Sequence, residues 1–352
     1  MRAMTEEKSG QKPVVWGVLG ASHFALMATI PAMQQAPLVE LKALASRSLD
    51  KAKQAAASVK VPRAYGSYEE LIEDPEIEAI YNPLPNNLHV PWSIKAARAG
   101  KHVLCEKPVA MTASEAEELA KVQRETGKLI AEAFMVRYHP QWELVAELVQ
   151  SGRIGEVRAV QTAFSYTNTD LGNIRNQKEV GGGALYDIGG YAINTARLVF
   201  GKEPQRVASV CARDPKSGCD SLTSALLDFG SGQASFVVGT QHVPYQRVHV
   251  FGTKGHLEVE IPFNAPNDRP CKVYVDDGFV GGSDFTVKES SDDRREVLKA
   301  PVANHYTRQA QAFSEAIRSG KPIKNDMQSA VANMRVVDAI FRAADSQRWE
   351  TI

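Results

Sequence analysis

Cysteine is scarce: Cys105, Cys211, Cys219 and Cys271 are the only four, and no CxxC spacing joins them. They read as reduced, mostly structural thiols of a cytoplasmic protein. With no clustered cysteine and histidine ligands, a zinc alcohol dehydrogenase is excluded and no metal site is expected. Long apolar runs are missing as well, since none approaches the ~20 residues that span a bilayer. Residues 1–12 are polar and hold no apolar h-region, so they read as a flexible tail and not as a signal peptide. Charge of one sign is also lacking: 41 lysines and arginines balance 41 aspartates and glutamates. Nothing in that balance points to nucleic acid or to an acidic membrane surface. A GxxxxGK run ending in serine or threonine is absent, which excludes a P-loop enzyme. No Tyr-x-x-x-Lys occurs, which disfavours a short-chain dehydrogenase. Internal repeats and low-complexity tracts are absent too.

What the chain does have is alternation, over a length that suggests two domains. Val14 to Leu19 is an apolar strand, followed by the turn Gly20 to Ala25 and a helix to about Gln35. Val39 to Ala45 is a second strand, and Ser48 stands where it can cap the next helix. A short helix near Tyr68 to Glu73 leads to the strand Ile77 to Tyr81 and the loop Asn82 to His89. A helix to Ala99, the strand at His102 to Cys105, the helix Ala113 to Thr126 and the strand Leu129 to Ala133 follow. The pattern predicts an α/β chain with a doubly wound parallel sheet over residues 13–134.

After Phe134 the character changes. A helix is expected from about Gln141 to Gln150. Strand-like runs lie at Glu156 to Tyr166, Gln205 to Arg213, Ser221 to Phe229, Gln233 to Thr240, Gln246 to Phe251 and His256 to Ile261. The turn signals Gly230 to Gly232 and Gly252 to Gly255 separate some of them. Residues 135–352 therefore predict an α+β domain with a large, open, mainly antiparallel sheet, interrupted by a helix from Gly183 to Phe200. Residues 265–300 are polar and weakly periodic and predict no element. Two helices close the chain, near Asn304 to Arg318 and over about residues 326–345, the last expected to pack back near the first domain.

The run Gly100 to Ala110 carries the first chemistry. Gly100 suits the left-handed position after a helix, and Pro108 forbids the strand ladder to continue. Glu106 and Lys107 are thus set at the carboxyl end of a parallel strand, where open α/β sheets hold ligands. Gly20-Ala21-Ser22-His23-Phe24-Ala25 occupies the slot of a dinucleotide fingerprint, after a strand and opening a helix. The second and third glycines are lacking, replaced by Ser22 and Ala25. Helix-start amides there can hold phosphate, and the Ser22 hydroxyl adds a donor. The end of the second strand lacks the acid that NAD sites use and carries Ser46 and Arg47 instead. An arginine fork suits a 2′-phosphate, so NADP is favoured over NAD; the plainer reading is a solvated loop arginine. Lys51 on the following helix is grouped with them. Pro85, Asn87 and His89 lie on the same edge and are placed to line the nicotinamide ribose. His89 reads equally well as a cap or core histidine.

In the second domain, Asp187 and Tyr191 are four residues apart on a helix and project from one face, with Asn194 on the same stripe. Gly189 and Gly190 each cost about 1 kcal/mol in a helix interior. That cost suits close approach by a cofactor ring or substrate; the alternative is a helix packed tightly on the sheet, with Asp187 as a buried cap partner.

These motifs, in this order, resemble the glucose-fructose oxidoreductase / inositol dehydrogenase family (Gfo/Idh/MocA). The carriers are Trp16 to Gly20, Pro85 to His89, Gly100 to Pro108, Glu132 to Pro140 and Gly181 to Tyr191, and the likeness spans Val14 to Ala344. Glu132 to Pro140 and Asp187 to Tyr191 are similar to the glucose-fructose oxidoreductase, NADP-dependent aldose dehydrogenase and dihydrodiol dehydrogenase branch. The resemblance implies a Rossmann domain, a catalytic group of Lys107, Asp187 and Tyr191, a cis bond before Pro108, and a homodimer through the second sheet. The implied reaction moves hydride between nicotinamide C4 and C1 of a cyclic aldose, giving a lactone or running in reverse. Tyr191 is then the base, its phenol drawn down by the Lys107 ammonium, and Asp187 orients Lys107 or the substrate. Arg137, Tyr138, Arg175 and Asn194 are the candidate sugar contacts. Other readings stay open: a sugar–sugar oxidoreductase with tightly held NADP, a trans-dihydrodiol dehydrogenase, or a nucleotide-binding sensor without catalysis.

Overall fold

The computed structural model describes residues 11–277 and 295–352. Most of the expected tail, residues 1–10, lies outside them. Six parallel strands make the first sheet: β1 (Val14–Leu19), β2 (Val39–Ala45), β3 (Arg63–Tyr65), β4 (Ala79–Asn82), β5 (His102–Glu106) and β6 (Ile130–Ala133). Their order is β3-β2-β1-β4-β5-β6. Every residue of β1, β4 and β6 is buried, as expected for strands with both faces covered. The connecting helices are α1 (Ile30–Met33), α2 (Leu49–Ser58), α3 (Tyr68–Glu73), α4 (His89–Arg98) and α5 (Ala113–Thr126). Because β1 lies between β2 and β4, the winding reverses there and leaves a crevice beyond the carboxyl ends of the strands. Gly20, Glu106 and Lys107 all stand on that edge.

Helix α6 (Pro140–Gln150) leads to a nine-stranded sheet. Its members are β7 (Val157–Thr167), β8 (Arg206–Arg213), β9 (Asp220–Asp228), β10 (Gln233–Gly239), β11 (Gln241–Gly252), β12 (His256–Val259), β13 (Cys271–Asp276), β14 (Arg295–Ala300) and β15 (Glu350–Thr351). The order is β14-β13-β12-β11-β7-β10-β9-β8-β15, and β7 with β10 is its one parallel pair among the described residues. Helix α7 (Gly190–Phe200) packs on β7 and α9 (Met327–Ser346) on β8. Helix α9 also packs on α5 and β6 of the parallel sheet. On the opposite side, α8 (His305–Ser319) covers β1, where the Trp16 indole donates to Ser314 Oγ at 3.2 Å and stacks near Phe313. One apolar core runs without a break from Leu19 and Val103 of the first sheet to Val160, Val250 and Met334.

Several expectations are corrected. Strands β13 and β14 occupy the stretch that predicted no element, and residues 278–294 between them lie outside the described ones. Their outward row, which includes Lys272, Tyr274 and Val297, hides the inward alternation of Val273 and Val275. Ser48 holds the cap position of α2, yet its side chain makes no capping bond. The glycine-rich helix is not α-helical throughout: Leu185–Gly189 is π-wound before α7 begins.

Candidate active site

Gly20 ends β1 with φ of +83°, and a Cβ there would come within 2.8 Å of Leu84 Cδ2. Both facts demand glycine. The chain then enters a helix that is π-wound over Ala25–Thr29. Ser22 Oγ accepts from the Ala25 amide at 3.2 Å, which leaves its hydroxyl proton free to donate. First-turn amides have no helical acceptor, so this turn offers donors to an anion. His23 and Phe24 are exposed beside it. At the end of β2, the Ser46 amide is tied to Tyr65 O at 3.1 Å. Arg47 and Lys51 are exposed, and among the described residues Arg47 forms no ion pair or hydrogen bond. A partnerless guanidinium with no acid at the strand end fits a dinucleotide carrying a 2′-phosphate. Pro85 and Asn87 lie on the same rim, half-buried and exposed respectively.

His89 does not line that crevice. It is 1% exposed, and its ring nitrogens face Pro108 O and Leu84 O, each at 2.7 Å. Burial, with the nearby Lys107 charge, lowers its pKa to about 4. The buried imidazole is therefore a tie between two site loops and not a cofactor contact.

Lys107 follows β5, and its bond to Pro108 is cis. Its ammonium donates to the Asp187 carbonyl at 2.6 Å and to Asp187 Oδ1 at 3.0 Å. The other carboxylate oxygen accepts from the Tyr166 hydroxyl at 2.6 Å and from Arg175 Nε at 3.2 Å. One carboxylate thus gathers a lysine from the first sheet, a tyrosine from β7 and an arginine from the loop after it. Burial pushes the Asp187 carboxyl up, but the Lys107 and Arg175 charges outweigh it and hold the group well below the usual carboxylate range. Lys107 and Asp187 keep 15% and 14% of their side-chain surface, so a small ligand can still reach them. Glu106 beside them accepts from the Tyr81 hydroxyl at 2.7 Å and from the Lys107 amide at 3.2 Å.

The helix bearing Asp187 is pinned at its start. Asp220 on β9 accepts from the Leu185 amide at 2.8 Å and from the Thr223 hydroxyl at 2.7 Å. Gly183, with φ of +123°, lies so close that a Cβ would fall 2.1 Å from Asp220 Oδ1. The neighbours of the helix glycines belong to the chain itself. A Cβ on Gly189 would strike Leu185, and one on Gly190 would touch Asn333 and Phe134. The contact at Gly189 is with the tip of the Leu185 side chain and those at Gly190 are of ordinary van der Waals length, so packing within the chain restricts Gly189 more than Gly190.

Tyr191 stands otherwise than expected. Its ring packs among Phe134, Phe164 and Phe263. The Lys107 ammonium lies 5.2 Å from the ring centroid, over the face, while the hydroxyl meets Met135 Sδ at 3.6 Å. Burial, then the hydroxyl of Tyr306 and the charges of Glu106 and Asp187, raise its pKa well above the ordinary value. The phenol is therefore protonated at neutral pH, and the expected lowering by Lys107 is not found.

Of the four expected sugar contacts, only Arg175 joins the cluster. Tyr138 and Asn194 are 4% and 2% exposed, and among the described residues neither makes a hydrogen bond to Lys107, Asp187 or Arg175. Arg137 donates to Asn194 Oδ1 at 3.3 Å and faces a separate cavity that none of Lys107, Asp187 or Tyr191 lines. Tyr166, Tyr81 and Tyr306 were not anticipated. Tyr166 sits among alternating strand residues, and Tyr306 lies in the first turn of α8, edge-on to Phe24 at 5.8 Å; neither position carries a motif. Among the described residues no acid, histidine and cysteine cluster could hold a metal.

A dinucleotide cradle joined to a lysine–carboxylate cluster defines an oxidoreductase of two parts. The family model described as an oxidoreductase family with an NAD-binding Rossmann fold matches residues 14–134, and the GFO/IDH/MocA C-terminal domain model matches residues 142–258. The chain belongs to the GFO/IDH/MocA oxidoreductase family, which bears out the resemblance read from its motifs. It is 44% identical over 340 residues to an oxidoreductase of Rhizobium meliloti, covering 96% of this chain and 99% of the other. It is 35% identical over 338 residues to D-xylose 1-dehydrogenase (NADP+) 2 of Haloferax volcanii, covering 95% and 98%. A 3-ketoreductase from Actinomadura kijaniata, solved with NADP and TDP-benzene, superposes with a TM-score of 0.85 at 31% identity, covering 94% and 98%.

Proposed function

We propose that the protein is an NADP-dependent oxidoreductase moving hydride between nicotinamide C4 and C1 of a cyclic aldose. The observation that carries this is the Lys107–Asp187 pair on the carboxyl edge of the parallel sheet, beside a cradle ending in an unpaired Arg47. NADP supplies the hydride acceptor, or the donor in reverse. Gly20 and the helix-start amides hold its phosphates, and Arg47 with Ser46 takes the 2′-phosphate. Asp187 fixes the Lys107 ammonium, which orients the reacting oxygen. Tyr191 relays the proton: its phenolate form takes the hydroxyl proton as hydride leaves C1, and in the reverse reduction its phenol returns that proton to the oxygen. A neutral phenol suits donation to a developing alkoxide, so the same site favours carbonyl reduction in the reverse direction. The xylose dehydrogenase relative supports an aldose substrate. The 3-ketoreductase was also solved with one lysine and one tyrosine replaced, as far apart in its chain as Lys107 and Tyr191 are here. That relative and the protonated Tyr191 favour a second reading, reduction of a keto sugar.

Nicotinamide absorbance with NADP+ and a panel of aldoses tests the proposal. Lactone formation supports it. NADPH oxidation by keto sugars, with every aldose inert, replaces it with the second reading. In Arg47→Ala the preference for NADP over NAD is expected to fall at least about tenfold, the loss of roughly one charge-assisted contact. An unchanged binding ratio removes Arg47 from the 2′-phosphate site. The outer face of the nine-stranded sheet bears exposed Val210, Val237 and Val297 and is the proposed homodimer surface. Four unpaired thiols suit a reducing, cytoplasmic setting.

A further inference from the structure

A second cavity lies at the far end of α7 from Asp187. Its volume is ≈ 410 Å³, and Arg137, Arg197, Lys202, Lys324, Glu203 and Asp326 are among its walls. Four cations thus face two acids. Both acids make other contacts, although their charges also act on Arg137. Glu203 grips Arg197 through both oxygens, at 2.6 and 2.8 Å, and Asp326 caps α9 by accepting from the Ser329 amide at 2.8 Å. Lys324 is held by Glu143 outside the cavity, at 2.9 Å. Arg137 and Lys202 remain. Among the described residues neither has a carboxylate within ion-pair distance, and Arg137 has only its 3.3 Å bond to Asn194. A mostly buried guanidinium keeps its charge and five donors in a fixed fork. Asp326 and Glu203 offset part of that charge at a distance, but the walls keep an excess of cations, which an anion in the cavity would meet.

We propose that this cavity is an anion site distinct from the catalytic cluster, and that it takes a phosphate monoester of roughly monosaccharide size. Arg137 forms its floor and Lys202 its rim. Arginine matches the geometry of a phosphate group through two parallel donors. The volume exceeds a bare oxyanion and lies within the range of small-molecule sites. The floor is close to the chemistry along the chain, since Arg137 follows by two residues Met135, the partner of the Tyr191 hydroxyl.

Thermal unfolding of the full chain tests the site without reference to activity. The probes are inorganic phosphate and glycerol 3-phosphate, against chloride at matched ionic strength. The backgrounds are wild type, Lys202→Gln, Arg137→Gln and Arg47→Ala. Saturation at about a hundredfold Kd is expected to raise the wild-type Tm by several degrees. The shift should persist in Arg47→Ala, which removes the proposed cofactor phosphate contact, and should shrink by at least half in Lys202→Gln. Among the described residues Lys202 is exposed and makes no hydrogen bond or ion pair, so that variant folds even where Arg137→Gln does not. Glycerol 3-phosphate acting at lower concentration than inorganic phosphate identifies an ester site; the reverse order leaves an anion site but overturns the ester assignment. A shift lost in Arg47→Ala and kept in Lys202→Gln, or no shift at all, overturns the proposal.

Discussion

The Tyr191 hydroxyl spends little on folding. Its partner is a thioether sulfur at 3.6 Å, while its ring is held by three phenylalanines. Removing the oxygen alone should therefore cost less than about 1 kcal/mol of stability. Proton transfer by a positioned side chain is worth ~100-fold or more in rate. Tyr191→Phe is expected to melt close to wild type, bind NADP normally and lose at least that factor in kcat. Near-normal turnover in either direction would take Tyr191 out of the chemistry. At this scale the sequence speaks clearly where a residue breaks a local rule. Lys107 is a charge closing an apolar strand, and Asp187 lies in a helix weakened by glycine. It is silent on Tyr166, which looks like any strand tyrosine, and on the direction of the Tyr191 hydroxyl, which depends on packing against Met135. Arg137 and Asn194 do touch, yet their meeting place is set by the turn after β6 and lies away from the reacting edge.

At the scale of elements, the turn carrying Lys107 depends on β6. Glu132, 2% exposed, accepts from the Val109 amide at 3.0 Å and so ties the segment after Pro108 to the next strand. Burial raises the Glu132 pKa to about 7, against lowering by the Val109 amide and by the charges of Arg197 and Lys107. The ordinary carboxyl value is near 4.5, so between these two values the folded state binds a proton that the unfolded state has lost. The stabilisation from that proton is full below about pH 4.5 and disappears as pH rises through 7. Glu132→Gln keeps a carbonyl acceptor and removes the titration. Its stability relative to wild type is expected to rise between pH 5 and pH 8, as read from paired denaturant melts at each pH. A difference that stays flat with pH would show that Glu132 is ionised throughout. Most strands and helices were legible because apolar period and turn chemistry agree. The π-wound turns at Ala25–Thr29 and Leu185–Gly189 were not, since the extra residue leaves no mark on the apolar pattern. Nor was the parallel pairing of β7 with β10, which two distant strands of similar composition do not announce.

For the whole molecule, two sheets suggest two folding units, but the contacts argue for one. Lys107 reaches Asp187, Asn86 Nδ2 donates to Gly181 O at 2.8 Å, and the Tyr186 hydroxyl donates to Met111 O at 2.7 Å. Helix α9 adds the Asp338 carboxylate, which accepts from the Ala113 amide at 2.9 Å. These ties border an apolar core that passes between the sheets without interruption. Separating the sheets would expose that core and strand the buried charges of Lys107, Asp187 and Arg175. Calorimetry is therefore expected to give a single unfolding transition whose calorimetric and van't Hoff enthalpies agree. The proposed cofactor site lies almost wholly on the first sheet, which makes NADP a probe of this coupling. A ligand bound only by the native state raises the midpoint of the unit that contains its site. If the molecule is one unit, NADP moves the entire transition upward. Two transitions, with only one displaced by NADP, would mean that the nine-stranded sheet unfolds on its own and that Lys107 and Asp187 are joined only by docking.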